Sequence, residues 1–137
     1  MKAYLAGKMG GLSFEEMNAW RKDAKAQLKA HEIKTVNPVN FYNFELDPNS
    51  YTDIEVEKFD LQAVKNCDLI LVNLNFTDSV GTAIEMFYAD FILFKPVIAY
   101  GSNDNHPWIK NHVTKFCETL EEAVEYIATF YKPILCK

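Results

Sequence analysis

Basic charge, glycine, cysteine and histidine are all scarce in this sequence, and each shortage removes a class of function. The 14 Lys and Arg residues are outnumbered by 19 Asp and Glu, which leaves a formal net charge of −5. General binding to nucleic-acid polymers or anionic membranes is therefore disfavoured, although a local basic spot can still hold one small anion. Cys67, Cys117 and Cys136 form no CxxC pair and are odd in number, and His31, His106 and His112 share no metal-ligand spacing with them. Neither a structural metal nor a disulfide framework is expected, and a reducing cytoplasm is the simpler setting. No window approaches ~18 apolar residues, and the short apolar run before Gly7 is no signal peptide, so neither a membrane span nor a secretory leader is expected.

What is present is apolar and aromatic, at 49% and 14% of 137 residues. Disorder is excluded by that composition, and the length suits one domain, 1–137, able to bury roughly 65–70% of its unfolded surface. Strand-like and helix-like patterns alternate without repeats or linkers. "AYLAG" (3–7) reads as a strand; "SFEEMNAWRKDAKAQLKA" (13–30) places Phe14, Met17, Trp20 or Arg21, Ala24 and Leu28 at helical spacing. "IKTVN" (33–37) is a second strand stopped by Pro38, 52–67 a second helix, and "DLILVNL" (68–74) a strand apolar enough for burial on both faces. Then come helix 79–94, strand 95–100, a helical turn at 106–112, an edge strand at 113–117 and an amphipathic helix at 119–131. The pattern predicts an α/β fold with a five-stranded parallel sheet, a flavodoxin-like (Rossmann-like) three-layer sandwich.

In such a sheet the ligand crevice lies beyond the strand C-termini where the strand order reverses, here between the first and third strands. The loops to inspect are 7–13 and 74–81. They hold Gly7, Gly10, Gly11 and Gly81, four of only five glycines. The first loop, "GKMGGLSFEE", has two readings. Its glycines and Lys8 can bring backbone N–H groups and a positive charge to an anion or sugar, or Ser13 and Glu16 simply form a capping box after a tight turn. Its spacing matches neither GxGxxG nor a Walker A loop, so no dinucleotide, triphosphate or other cofactor is implied.

The second loop leads into "DSVGTAIEMFYA" (78–89), which carries Glu85 inside a segment otherwise fit for burial. Ionised carboxylates are almost never fully buried without a partner. A helix starting near Ser79 or Val80 puts Glu85 in its second turn, where the positive helix end favours the ionised form by about 0.3–1 kcal/mol. Such a group suits a nucleophile or a general base.

These residues also carry a resemblance. "YLAGKMGGLSFEEMNAWR" (4–21), "NP" (37–38), "FDLQAVKNCDLILVNL" (59–74), "GTAIEMFYA" (81–89) and "KPVIAY" (95–100) together resemble the nucleoside 2-deoxyribosyltransferase family and its nucleotide N-glycosidase relatives. The resemblance covers residues 3 to 100, and G-T-A-x-E-x-x-Y-A is its most specific part. It implies that Glu85 is the nucleophile that attacks the sugar C1′ and forms a glycosyl-enzyme intermediate, that Tyr4 orients it, and that Asp60 contacts substrate and helps the base depart. A carboxylate below the ring fits an oxocarbenium-like transition state, and a second acid must protonate the leaving base. Read from the residues alone, Asp60 is equally an exposed helix aspartate and Tyr4 a strand aromatic. Substrate contacts are expected from Gly7, Lys8, Gly10, Gly11, Asn37, Ser79 and Gly81. Phe41, Tyr42 and Phe44 in "VNFYNF" (39–44) offer a stacking platform for a base or, equally, core residues.

Two departures from the family pattern bear on the substrate. Ser79 stands six residues before Glu85, where transferases acting on free nucleosides tend to have an aspartate for the 5′-hydroxyl; a serine donates to a phosphate that a carboxylate would repel. Lys8 stands where the family usually has proline in "AGP". Both favour a nucleoside 5′-monophosphate over a nucleoside. Three functions follow as expectations: a (deoxy)ribosyltransferase passing the sugar to another base, a 5′-monophosphate N-glycosidase using water, or a nucleotide-sensing module without turnover. Phe87, Phe91 and Phe94 exceed what one sheet face needs, so a homodimer or larger assembly is expected through that helix, with "SNDNHPW" (102–108) contributing to a neighbour's site.

Overall fold

A computed structural model describes residues 1–42, 51–102 and 106–137. Five parallel strands, β1 (Lys2–Ala6), β2 (Lys34–Val36), β3 (Leu69–Asn73), β4 (Val97–Tyr100) and β5 (Lys115–Cys117), form one sheet in the order β2-β1-β3-β4-β5. All pairings are parallel; Tyr4 is level with Val36 on one side and Ile70 on the other. The chain passes outward from β1 to β2 and returns to place β3 on the other side of β1, so the order reverses between β1 and β3, as the alternation predicts.

Side-chain alternation along β1, β3 and β4 builds two cores. Ala3, Leu5, Leu69, Leu71, Ile98 and Tyr100 pack beneath α1 (Phe14–Ala30) and α5 (Leu120–Tyr126), while Tyr4, Ala6, Ile70, Val72, Val97 and Ala99 face α2 (Asp53–Lys65) and α3 (Val80–Phe87). β3 is buried at all five positions, which is why its sequence is a continuous apolar run. α1 begins at the expected capping box, with Glu16 N–H donating to Ser13 Oγ at 3.1 Å and Ser13 N–H to Glu16 Oε1 at 3.2 Å. The ambiguity at 20 or 21 resolves in favour of Arg21, which is buried with Asn18, Ala24 and Leu28, whereas Phe14 is exposed.

Two helices differ from their expected form. The 79–94 helix is α-helical over Val80–Phe87 and then widens into a π-helical turn, Tyr88–Ile92, ending at Phe94 with φ 53°. The last helix passes through a π-helical turn (Ile127–Tyr131) and continues as α6 (Lys132–Leu135), beyond the expected end at 131, because Pro133 falls in the first turn of α6, where its missing N–H breaks no bond. A short helix α4 (Pro107–Lys110) precedes β5.

Candidate active site

The loops after β1 and β3 leave neighbouring strand ends toward opposite faces of the sheet, and a crevice opens between them. It measures about 370 Å³. Gly7, Lys8 and Gly10 line it from the first loop, Ser79, Gly81 and Glu85 from the start of α3, and Asp60 from α2. Gly7 is required by packing: a Cβ there would stand 2.8 Å from Trp20 Cζ2, so the loop lies flat on α1 only without a side chain. On the opposite wall Ser79 caps α3, its Oγ accepting from Thr82 N–H at 3.2 Å and donating to Thr82 Oγ1 at 2.8 Å.

Two acids and a phenol meet at the base of this crevice. Tyr4 is fully buried on β1, directly beneath, with its Oη lacking a hydrogen-bond partner; Glu85 Oε2 is likewise buried and unpartnered. The two groups are near enough for the phenol to favour the carboxylate, although neither atom completes a bond of ordinary geometry. Burial pushes the Glu85 carboxyl up to about 8, assisted by Asp60 and opposed by Tyr4 and Arg21. One pKa unit already equals about 1.4 kcal/mol, so desolvation outweighs the helix end, which was expected to hold Glu85 ionised. Asp60 is also raised, to about 6, by burial, with Tyr42 and Arg21 acting against it. Tyr4 is driven far above the phenol range by burial and then by Glu85.

The sequence matches the family model described as nucleoside 2-deoxyribosyltransferase over residues 3–124. The chain belongs to that family. Among solved structures it is similar to a 2-deoxyribosyltransferase of Bacillus psychrosaccharolyticus, at TM-score 0.73 and 23% identity, with 92% of each chain covered. It is also similar to a 2-deoxyribosyltransferase of Leishmania mexicana (TM-score 0.70, 15% identity, 95% of this chain and 98% of that one). The CMP N-glycosidase BcmB of Clostridium botulinum superimposes at TM-score 0.59 and 17% identity over 95% of this chain and 100% of its own. No curated protein matches the sequence. At these identities the structural likeness is one of fold.

Within this family framework the expected site residues divide. Gly7, Lys8, Gly10, Asp60, Ser79, Gly81 and Glu85 come together around the crevice, with Tyr4 under it. Gly11, Asn37 and Phe41 do not line it. Gly11 makes the turn, at φ 82°. Asn37 is occupied in holding the 3₁₀ turn Pro38–Phe41: its Oδ1 accepts from Val39 N–H at 3.0 Å and its Nδ2 donates to Asn18 Oδ1 at 2.8 Å. Phe41 packs edge-on to Tyr42 and is partly exposed, and Phe44 lies outside the described residues. Tyr42 is buried and offers no open stacking face; its Oη instead donates to Asp60 Oδ1 at 2.7 Å. Of 102–108, residues 103–105 lie outside the described residues, while His106 caps α4 and Trp108 is exposed.

Two participants escape sequence reading. Tyr42 orients Asp60 from 18 positions away, a pairing that only the fold creates. Arg21 is the other: an apolar helix stripe hides it, and its charge is among those acting on Glu85, Asp60 and Tyr4.

Proposed function

We propose that this protein cleaves the N-glycosidic bond of a nucleoside or nucleoside 5′-monophosphate through a glycosyl-Glu85 intermediate and passes the sugar to another base. One observation carries the reading: two carboxyls with raised proton affinity, Glu85 and Asp60, share a crevice at the topological switch point, above a buried tyrosine. Perturbed acids in a cleft are the usual mark of a reacting pair. In the first step a Glu85 oxygen bonds to C1′ while the C1′–N bond breaks, its electron pair going to the base nitrogen, which takes a proton from Asp60. In the second, a nitrogen of the acceptor base bonds to C1′, Glu85 departs as carboxylate, and Asp60 recovers a proton from the acceptor. Burial gives Glu85 the higher proton affinity of the two, so the proton they share passes from Glu85 to Asp60 before the attack. Positive charge developing on the sugar favours the charge on Glu85 and the proton on Asp60. Tyr4, beside Glu85, is placed to orient its carboxylate.

Lys8 in the crevice wall favours a substrate with a 5′-phosphate, and Ser79 joins it by turning its hydroxyl proton from Thr82 Oγ1 to the phosphate. A second reading, a 5′-monophosphate N-glycosidase with water as acceptor, draws on the same two residues and on the likeness to a CMP N-glycosidase. Assembly into a homodimer or larger is part of the proposal, through the exposed apolar residues of α3 and its π-helical extension.

The deciding experiment incubates the protein with nucleosides and 5′-monophosphates, with and without an acceptor base, and follows free base by chromatography. Exchange only with an acceptor means transferase; release without one means hydrolase. Either activity should vanish in Glu85→Ala. Activity that survives in that variant eliminates the covalent mechanism, and tight nucleotide binding without turnover replaces it with a sensor.

A further inference from the structure

Arg21 projects from α1 over the C-terminal end of β1 and is 0% exposed. A buried guanidinium is costly unless its charge is compensated and its donors are satisfied. Its donors are satisfied by backbone: Nε donates to Leu5 O at 3.3 Å, Nη2 to Gly7 O at 2.9 Å, and Nη1 to Met17 O. Its face rests on the Trp20 ring, 4.7 Å from the centroid. Carbonyls solvate a cation without neutralising it, and among the described residues no carboxylate lies within ion-pair distance of Arg21. A neutral donor could tie the loop down as well, so tying the loop does not account for the charge.

Arg21 Nη2 is bonded to Gly7 O, and Gly7 lines the crevice together with Asp60 and Glu85. The acidic groups in the field of Arg21 are Glu85 of α3, Tyr4 of β1, Tyr100 of β4 and Asp60 of α2, with Glu85 foremost. Glu85 in turn is faced by Tyr4, Asp60 and Arg21, and Asp60 by Tyr42 and Arg21. Lys8, the other cation at the crevice, is already paired with Asp78. Among the described residues Arg21 is the cation whose charge acts on both acids.

We propose that Arg21 is a positioning residue for the reaction: without touching substrate, it clamps the loop after β1 and supplies the buried positive charge that lets Glu85 and Asp60 hold one negative charge between them and exchange it during the cycle. This rests on the reading of those two carboxyls as the reacting pair. It goes beyond that reading in giving a residue outside the crevice control of the pH at which the pair works.

The test titrates the side-chain carboxyls of the ¹³C-labelled protein by NMR, with Glu85→Gln and Asp60→Asn assigning the signals. In Arg21→Gln both midpoints should rise, at least one of them by about one pH unit, a tenfold change in proton affinity. The acidic limb of the kcat profile should move up by the same amount, with KM raised as the loop loosens. Unchanged midpoints in a folded Arg21→Gln protein would overturn the proposal. Should that variant not fold, Arg21→Lys decides, because it keeps the charge and loses the fork. Midpoints within about half a unit of wild type, with KM raised as the loop loosens, uphold the proposal. A displacement of a unit or more with the charge retained shows that hydrogen-bond geometry sets the pair, and overturns it. The titration needs no turnover, so a failure here is separable from a failure to find glycosyl transfer.

Discussion

Lys8 Nζ stands 2.6 Å from Asp78 Oδ2 and joins the loops after β1 and β3 across the mouth of the crevice. Asp78 is 69% exposed, so the pair is a surface ion pair, weakened by water and screened by salt. A phosphate with nearly two charges competes easily for such a lysine. The proposed preference for a 5′-monophosphate then predicts a specific loss: in Lys8→Met the ratio of kcat/KM for monophosphate over nucleoside falls about tenfold or more, the effect of losing about 1.4 kcal/mol of selective binding. An unchanged ratio would remove Lys8 from phosphate recognition and leave Ser79 to carry it.

Glu85 gives a prediction with opposite signs for stability and activity. Its proton affinity is higher in the folded protein than in the unfolded chain, so the folded state binds more protons between the ordinary Glu value and about 8. This contribution is fully present below the unfolded pKa and is lost as pH rises through the folded one. Glu85→Gln removes the burial penalty of the charged form and should raise stability near pH 7 by about 1–2 kcal/mol, with little change near pH 4. Urea melts at the two pH values check this; a destabilised Gln variant at pH 7 would show that the carboxylate is held by contacts the site was not credited with. Catalysis through Glu85 should be lost in the same variant.

Two glycines of the crevice should respond differently to the same methyl group. Gly7→Ala places a Cβ 2.8 Å from Trp20 Cζ2, inside a packed layer, and should cost about 1–3 kcal/mol in urea unfolding. At Gly81 a Cβ meets nothing within 4 Å, and alanine in the first turn of α3 should be neutral or stabilising by up to about 1 kcal/mol. Equal costs at both sites would contradict the packing described for the loop after β1.

Much of this was legible because parallel α/β folds write their topology in alternation. β3 shows as an apolar run, the capping box marks the start of α1, and glycines collect in the two loops that flank the switch point. What was hidden depended on long-range packing. Periodicity left residue 20 or 21 open for the buried position of α1, and an arginine is a rare occupant of a core. Asn37 reads as a ligand contact until its amide is seen bonding Asn18, and Tyr42 as a stacking surface until its hydroxyl meets Asp60. The proton affinity of Glu85 is hidden for the same reason, since a helix end is visible in sequence and desolvation is not.

The apolar residues beyond Glu85 lead to the last prediction. Val80, Ile84, Phe87 and Phe91 are exposed along α3 and its π-helical turn, Phe87 stacks on Phe91 at 5.3 Å, and Trp108 of α4 is 77% exposed. A second apolar hollow of about 510 Å³ lies among these side chains and shares Asp78, Ser79 and Val80 with the crevice of Glu85. Phe94, 87% exposed, also holds a left-handed backbone at φ 53°, an unusual conformation for a bulky residue. So much aromatic surface beside a polar cleft suits a second copy of this chain, whose burial of Phe91 and Trp108 would also wall off one side of the site. Sedimentation at about 10 µM should therefore show a dimer or larger, and Phe91→Glu with Trp108→Glu should yield a folded protein of lower mass with weakened turnover. A monomer in the wild type at that concentration would end the interface proposal, whereas a monomeric double variant with full activity would show that each site is complete within one chain.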